Sequence, residues 1–492
     1  MKNSEHSLKT AEELLKKYFK HDSFRENQKE VLNRILMENG HCLLLMPTGG
    51  GKSVCYQIPS QIFEGKTIVI SPLIALMQDQ VDALRKKGID ANFINSTVSK
   101  KDREIRLDNF ITGKYKLLYV TPERFRKREF VEKIKKTNIS LFAVDEAHCV
   151  SEWGHDFRPD YSRLGEFREM IGSPLTLALT ATATREVQED IIRKLHLNFS
   201  DVKILHYGIE RPNLRLEALD IFDDKEKFEA IKKTLDKFSG SGIIYFSLIQ
   251  TLEKFSQMLG DKGYRHGIYH GKLQAQQRKK MQRSFLNGEE NLILATNAFG
   301  MGIDKPDIRF IIHAEVPSSI ESYYQEIGRA GRDGKDSLCL LLYNQEDLYT
   351  QMEFIKWANP DAEFYSRLFD ILKNNLMQVN SYGVDYLREQ LSFKNKNDFR
   401  VETALGMLDR YSVTEGSIEN KDLQIISGLP EILENENYLK EKMMNDNKKL
   451  LSVVKYFRGE KCRRVFISEY FGFFDEKPCG NCDNCTRNLD SH

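Results

Sequence analysis

The sequence has no apolar run approaching the roughly eighteen residues that a helix needs to cross a bilayer. Residues 1–22 are polar and amphipathic and lack an apolar signal core. Neither a membrane span nor secretion is therefore expected, and a cytoplasmic location is (beside the nucleoid, in a bacterium). Excess charge is missing too, since 73 Lys and Arg face 72 Asp and Glu for a net charge of +1. Such a chain is no polycation, so any affinity for nucleic acid must come from local patches. Cysteine is scarce, at eight, and four of the eight crowd near the end as Cys462, Cys479, Cys482 and Cys485. Tryptophan is scarcer, at two. What remains is an ordinary globular composition, and 492 residues exceed what one core holds, so about two to four domains are expected.

The most informative stretch is HCLLLMPTGGGKSVCYQ, residues 41–57. Its apolar run Cys42–Leu45 reads as a buried parallel strand. The turn Pro47-Thr48-Gly49-Gly50-Gly51 breaks it, and Lys52-Ser53 opens a helical pattern. A strand, a glycine loop and a helix N-terminus together cradle phosphate, because backbone N–H groups approach its oxygens closely. Lys52 is placed to reach the β- and γ-phosphates, and the Ser53 hydroxyl to ligate Mg²⁺. The strict form of the pattern has glycine where this chain has Met46. Upstream, Arg25 and Gln28 sit three apart and share a helical face. A glutamine amide both donates and accepts, which suits the edge of adenine; a solvated helix start is the plainer reading.

Further short apolar runs, Thr67–Ile70, 116–120 and Leu141–Val144, alternate with helical patterns and predict a doubly wound parallel sheet. Such sheets bind ligands at the carboxyl ends of their strands. Ser71 and Thr121, each followed by proline, fall at such ends, as ordinary strand-ending turns also would. Asp145-Glu146-Ala147-His148 follows the last run. Adjacent carboxylates at a buried strand tip are costly unless they meet a cation. Asp145 is expected to hold Mg²⁺ through water, and Glu146 to orient and deprotonate an attacking water. Next comes a loop with Trp153, His155, Phe157, Arg158 and Tyr161. Aromatics interleaved with arginine suit stacking on single-stranded bases, although a buried corner has the same composition. A strand and the hydroxyls of Thr180, Thr182 and Thr184 close this half.

A composition shift at residues 208–217 precedes a second series of strands, so two α/β lobes with a site between them are expected. In the second, Gln325, Arg329 and Arg332 are spaced by four and three. On a helix start that spacing directs both guanidiniums one way. Guanidiniums stabilise a transferring phosphoryl group, and supplying them from a second lobe ties hydrolysis to closure. Near the end, overlapping C-x-x-C units and Cys462 supply four soft ligands for tetrahedral zinc. All four positions being cysteine, no site stays open for water, which predicts a structural metal. Cys42, Cys55, Cys149 and Cys339 read as packing residues. Before the cluster, residues 363–377, 384–391 and 399–411 have helical apolar spacing, and 423–427 is strand-like. Three helices and a wing, or a helical spacer, fit this region. Lys394, Lys396 and Arg400 at the third helix start are expected to meet phosphates. Glu415, Glu419 and Asp422 along the wing argue against a strand-splitting wedge.

MPTGGGKS, VISPLIAL, VTPER, DEAHCVSEWGHDFRPDY, LTATAT, ATNAFGMGIDKPDIRFIIH and YYQEIGRAGRDG occur in this order. The set resembles the RecQ family of superfamily-two DNA helicases over residues 15–345, and the cysteine cluster resembles that family's zinc module with a helical platform. The resemblance implies an α/β protein of two RecA-like lobes, 1–207 and 208–346, then a winged-helix-like insert, 347–430, and a zinc module, 431–492. It implies ATP-driven 3′→5′ movement on single-stranded DNA and unwinding of forked DNA in repair and recombination. ATP, Mg²⁺ and Zn²⁺ would be the cofactors and the protein a monomer. Arg25 and Gln28 would meet adenine, Thr48–Ser53 the phosphates, and Gln325, Arg329 and Arg332 the γ-phosphate. Ser71, Thr121, His148, Trp153, Phe157, Arg158 and Thr296 would bind DNA or couple it to hydrolysis. His21 stands where members often carry an adenine-stacking tyrosine, which weakens the expected selectivity. The C-terminal winged helix and helicase-and-RNase-D domain of longer members are not expected. A protein whose ATPase only switches DNA binding or strand annealing would carry the same motifs.

Overall fold

The computed structural model describes residues 2–47, 49–151, 153–154, 158–208, 211–300, 303–391, 398–474 and 477–487. Seven short strands build the first sheet: β1 His41–Leu45, β2 Lys66–Ile70, β3 Ala91–Ile94, β4 Leu117–Val120, β5 Ile139–Val144, β6 Leu175–Thr180 and β7 Val202–His206. They pair in the order 3-4-2-5-6-1-7, all parallel. Parallel neighbours need crossovers, whose helices cover both sheet faces, so the central strands are apolar on both sides. This is why they read as continuous runs: Leu43, Leu44, Ile68, Val69 and Leu141–Val144 are all buried. The same topology lines up the carboxyl ends of β1, β2, β4, β5 and β6 along one edge. The helix expected after the glycine loop forms in two pieces, Val54–Gln57 and Pro59–Ile62, with Pro59, which has no N–H to donate, opening the second.

The second sheet holds β8 Leu214–Asp220, β9 Ser241–Tyr245, β10 Gly267–Tyr269, β11 Leu292–Ala295, β12 Ile308–His313 and β13 Ser337–Tyr343. Its order is 10-11-9-12-13-8, again parallel. The zinc module shares this lobe's core. Leu450, Val453, Tyr456 and Phe457 of helix Glu436–Arg458 join Cys339, Leu341 and Tyr343 in one apolar cluster. The rings of Phe457 and Tyr343 stack at 4.0 Å. That helix has 23 residues, roughly 34 Å at 1.5 Å each. Its other end, at Leu439, sits in a different core.

That core belongs to the insert. Helices Ala362–Tyr382, Val384–Gln390 and Arg400–Arg410 bury Leu368, Leu372, Leu387, Val401 and Leu408 together. An antiparallel pair, β14 Thr414–Glu415 and β15 Gln424–Ile425, forms the wing. The insert docks on the first lobe. Arg126 donates to Asp409 O and Arg410 O, 3.0 Å each, while also gripping the Asp160 carboxylate. Lys127 meets Glu415 at 3.1 Å, so one of the wing's acidic residues pairs with the first lobe. Lys394 and Lys396 lie outside the described residues. Arg400 pairs with Asp398 at 2.7 Å, so its charge is compensated within its own helix start instead of standing free for phosphate. No helix among the described residues is long and apolar enough to cross a membrane.

Candidate functional site

The glycine loop leaves β1 beside Thr180, because Leu45 is in register with that residue of β6. Gly49 and Gly51 take φ of +82° and +84°, a region costly for side chains. A Cβ on Gly51 would also lie 2.5 Å from Gln28 Nε2. Gln28 is buried; its Oε1 accepts from Arg25 N at 3.1 Å and its Nε2 donates to Gly51 O at 3.2 Å. Arg25 Nη1 donates to Gly49 O at 3.3 Å. The structure thus brings both residues expected at adenine to the loop, where they brace its backbone. Lys52 Nζ donates to Met46 O at 3.1 Å. The buried Tyr56 hydroxyl hydrogen-bonds Ser53 and feels the Asp145 charge, so these two candidate Mg²⁺ ligands share one neighbour. Thr48 lies outside the described residues, and His21 is exposed.

Asp145 and Glu146 follow β5. Asp145 N donates to Ile70 O at 2.8 Å, and its Oδ1 accepts from Glu146 N at 3.0 Å. Burial, then the Glu146 charge, push the Asp145 pKa up, and the Lys52 ammonium pulls it back. A carboxylate so placed gains from a divalent cation, and Ser53 and Asp145 offer the oxygen donors that Mg²⁺ takes. Glu146 sits at φ 48°, ψ 48°, a left-handed conformation worth about 1–3 kcal/mol of strain in a non-glycine residue. Its Oε2 lies 3.4 Å from His148 Nδ1, which also meets Thr180 Oγ1 at 3.0 Å. Burial, with the Lys52 and Arg158 charges, lowers the His148 pKa to about 3, so the ring is neutral near pH 7. Thr180 Oγ1 in turn accepts from Thr182 N at 3.2 Å. One contact chain therefore runs from the β5 tip to the β6 tip.

The aromatic loop folds directly onto this chain. A Cβ on Gly154 would lie 2.3 Å from His148 O, so only glycine fits there. Trp153 is half-buried against the first lobe's core, and part of its ring is committed to packing. Phe157 and His155 lie outside the described residues. Arg158 Nη1 donates to Pro72 O at 3.0 Å, joining the loop to the end of β2. Ser71 and Thr121 are buried at the ends of β2 and β4. Lys449, absent from the sequence reading, donates from helix Glu436–Arg458 to Gly154 O at 3.1 Å. Nothing local distinguishes it from the helix's other lysines.

In the second lobe the arginine pair departs from expectation. Helix Ile320–Ile327 ends before Arg329: tight turns follow, with Arg329 N bonded to Glu326 O and Ala330 N to Ile327 O, and Gly331, at φ +53°, turns the chain away. Gln325 remains on its last turn, while the two guanidiniums diverge. Arg329 is buried and donates to Gly300 O and to the Tyr245 hydroxyl within its own lobe. Arg332 pairs with Asp304 at 2.6 Å and reaches the phosphate loop: a Cβ on Gly49 would sit 3.6 Å from Arg332 Cδ. Thr296 is buried just beyond β11.

The four Sγ atoms of Cys462, Cys479, Cys482 and Cys485 lie within 4.8 Å of one another, Cys462 and Cys482 at 3.9 Å. A tetrahedron with Zn–S of about 2.3 Å has S···S edges of about 3.8 Å; a disulfide needs about 2.05 Å. Cys479 N and Arg463 N donate to the Cys462 and Cys482 sulfurs, as thiolates require. The residues fit a structural zinc. Because this module shares the second lobe's core, Cys482→Ser is expected to lose the metal, lower the melting midpoint and weaken DNA binding. Structural zinc is worth roughly 10–16 kcal/mol in small modules. A variant that melts like wild type, or a wild type unaffected by chelator, would remove the structural role. The other four cysteines are buried, as packing residues.

Residues 25–190 match the DEAD/DEAH box helicase family, 226–334 the helicase conserved C-terminal domain and 420–486 the RecQ zinc-binding family. The chain is 37% identical over 488 residues to the ATP-dependent DNA helicase RecQ of Bacillus subtilis (strain 168), covering 99% of this chain and 68% of the relative. It is 39% identical over 364 residues to the probable ATP-dependent DNA helicase RecS of the same organism, covering 74% and 72%. Among solved structures, S. cerevisiae Dbp5 bound to RNA and ADP BeF3 shares the two-lobed fold, with a TM-score of 0.57 over 71% of this chain and 93% of that one, at 19% identity.

Proposed function

Because this chain belongs to the RecQ helicase family, we propose that it couples ATP hydrolysis to 3′→5′ movement along single-stranded DNA and to the opening of forked duplexes, in DNA repair and recombination. One contact supports this reading most: Arg332 of the second lobe lies against Gly49 of the first lobe's phosphate loop. ATP bound there lies between the lobes. Lys52 and the loop N–H groups hold its β- and γ-phosphates, and Gln28 and Arg25 fix the loop and reach toward adenine. Ser53 and Asp145 would hold Mg²⁺, which when bound would supply charge neutralisation to the phosphates. Glu146 takes a proton from water as its oxygen attacks the γ-phosphorus; the bond to the β-phosphate oxygen breaks, leaving ADP and phosphate. Arg332 stabilises the charge on the transferring group, so hydrolysis requires a closed cleft. The same Glu146 leads through His148 to Thr180 and, by the backbone at Gly154, to the aromatic loop. Single-stranded DNA that shifts this loop changes the aim of Glu146.

Two results test the proposal. A duplex with a 3′ single-stranded tail should be unwound and a 5′-tailed one left intact; the reverse preference overturns the assigned direction. Single-stranded DNA should stimulate the ATPase, and Trp153→Ala should lower the stimulated rate more than the unstimulated one. Base stacking on an aromatic is worth about 1–3 kcal/mol. Equal loss of both rates would make Trp153 a packing residue only.

A further inference from the structure

The chain crosses from the first lobe to the second between β7, which ends at His206, and β8, which begins at Leu214. Two side chains of this crossing reach more than a hundred residues ahead, to the turn at 328–331 that carries Arg329 and leads into Arg332. Arg211 Nη1 donates to Gly328 O at 3.2 Å, and its Nη2 donates to Ala330 O at 2.6 Å and to Gly331 O at 2.8 Å. Asn213 Nδ2 donates to Gly331 O at 2.8 Å and to Lys335 O at 2.9 Å. Among the described residues no backbone N–H serves Gly328 O or Ala330 O. The end of helix Ile320–Ile327 thus leaves carbonyls for a side chain to satisfy, and a guanidinium, with its donors in a rigid fork, serves three at once. The fit is close, since a Cβ on Gly331 would lie 2.4 Å from Asn213 Nδ2.

Arg332 springs from this turn. Its Nε lies 3.5 Å from Gly328 O, the same oxygen that Arg211 holds. Arg211 therefore fixes the backbone from which Arg332 starts and sets a like charge beside it. Repulsion between the two favours the outward course of Arg332, toward Asp304 at 2.6 Å and toward Gly49 of the phosphate loop. The crossing is itself fastened from outside. Arg464 Nη2 lies 3.4 Å from Pro212 O and 3.3 Å from Leu214 O. Asn481, in the cysteine module, donates through Nδ2 to Pro212 O at 3.3 Å.

We propose that Arg211 is a positioning residue for ATP hydrolysis: it holds the 328–331 turn so that Arg332 points at the phosphate loop. This rests on the reading of Arg332 as the group that stabilises the transferring phosphoryl. Arg211 acts through Arg332 and not on the nucleotide. Because it lies in the crossing between the lobes, a shift of that crossing moves the turn and with it the aim of Arg332. A misplacement of about 1 Å in such a group costs about 10²-fold in rate.

The test uses the full chain with single-stranded DNA and ATP, and compares single-turnover hydrolysis in wild type, Arg211→Gln, Arg332→Ala and the double variant. Arg211→Gln should be slower by about 10²-fold, with ATP affinity and melting midpoint close to wild type. The double variant should be no slower than Arg332→Ala alone, because a residue that acts through Arg332 then has nothing left to aim. Deuterium exchange in the peptide spanning 326–334 should speed up in Arg211→Gln and stay unchanged in the rest of the second lobe. Arg211→Lys, which keeps the charge and can reach some of the carbonyls, should recover part of both. Losses that multiply in the double variant would overturn the proposal, as would a wild-type rate in Arg211→Gln. Early melting with exchange raised across the whole lobe would make Arg211 a structural cap, also overturning it. Normal hydrolysis in Arg332→Ala would refute the reading of Arg332, whereas wild-type exchange at 326–334 in Arg211→Gln would refute the hold on the turn, so the two failures are read on different samples.

Discussion

Replacing Glu146 with glutamine is expected to cut ATP turnover by about 10²–10⁴ while ATP stays bound. The substitution keeps the side chain's size and its left-handed backbone position, and removes only the group that takes the proton. Among the described residues the two nearest candidates are poor substitutes: Asp145 is the proposed Mg²⁺ ligand, and His148, with its pKa lowered to about 3, is too weak a base to accept a proton near neutral pH. Lys52→Ala should fail differently: without the ammonium that grips phosphate, nucleotide affinity itself falls. Fluorescent-nucleotide binding beside steady-state hydrolysis separates the two. Near wild-type turnover in Glu146→Gln would show that another group activates the water.

Arg332→Ala is expected to lower turnover by about 10³–10⁵, the range seen when a guanidinium is withdrawn from a transferring phosphoryl group. Nucleotide affinity should change far less, because Arg332 acts on charge that grows only in the transition state. Arg332→Lys should rescue poorly, since a point charge does not replace a planar fork. Arg329→Ala should also reduce turnover, but with a lower melting midpoint, because its buried guanidinium holds Gly300 O. Single-turnover hydrolysis and melting, measured on the same samples, distinguish the two arginines. Normal turnover in Arg332→Ala, with loss in a thermally stable Arg329→Ala, would exchange their roles.

The sheets were legible because parallel strands are buried on both faces and so read as unbroken apolar runs. The glycine loop, the carboxylate pair and the cysteine spacing were legible because each chemistry needs fixed residue types at short range. What escaped is long-range or depends on where a helix stops. Arg126 and Asp409 are 283 residues apart and Lys449 and Gly154 are 295 apart, so no local pattern announces either contact. Arg329 and Arg332 sit at helical spacing, yet the helix ends first and the guanidiniums part, Arg329 to Gly300 O and Arg332 to Asp304 beside the phosphate loop. Trp153 stands in the composition of a stacking platform, but composition does not reveal how much of its ring is buried. Asp398 beside Arg400 is plain in the sequence, and its carboxylate compensates the Arg400 charge.

ATP-driven strand separation is tested most directly on a forked duplex labelled on both strands, with wild-type protein and Glu146→Gln, each with and without ATP. Wild type should release single strands only when ATP is present, and Glu146→Gln should bind the fork without opening it. Wild-type protein that hydrolyses ATP on DNA yet leaves the fork closed, and instead anneals the complementary strands, would contradict this and make the ATPase a switch on DNA binding.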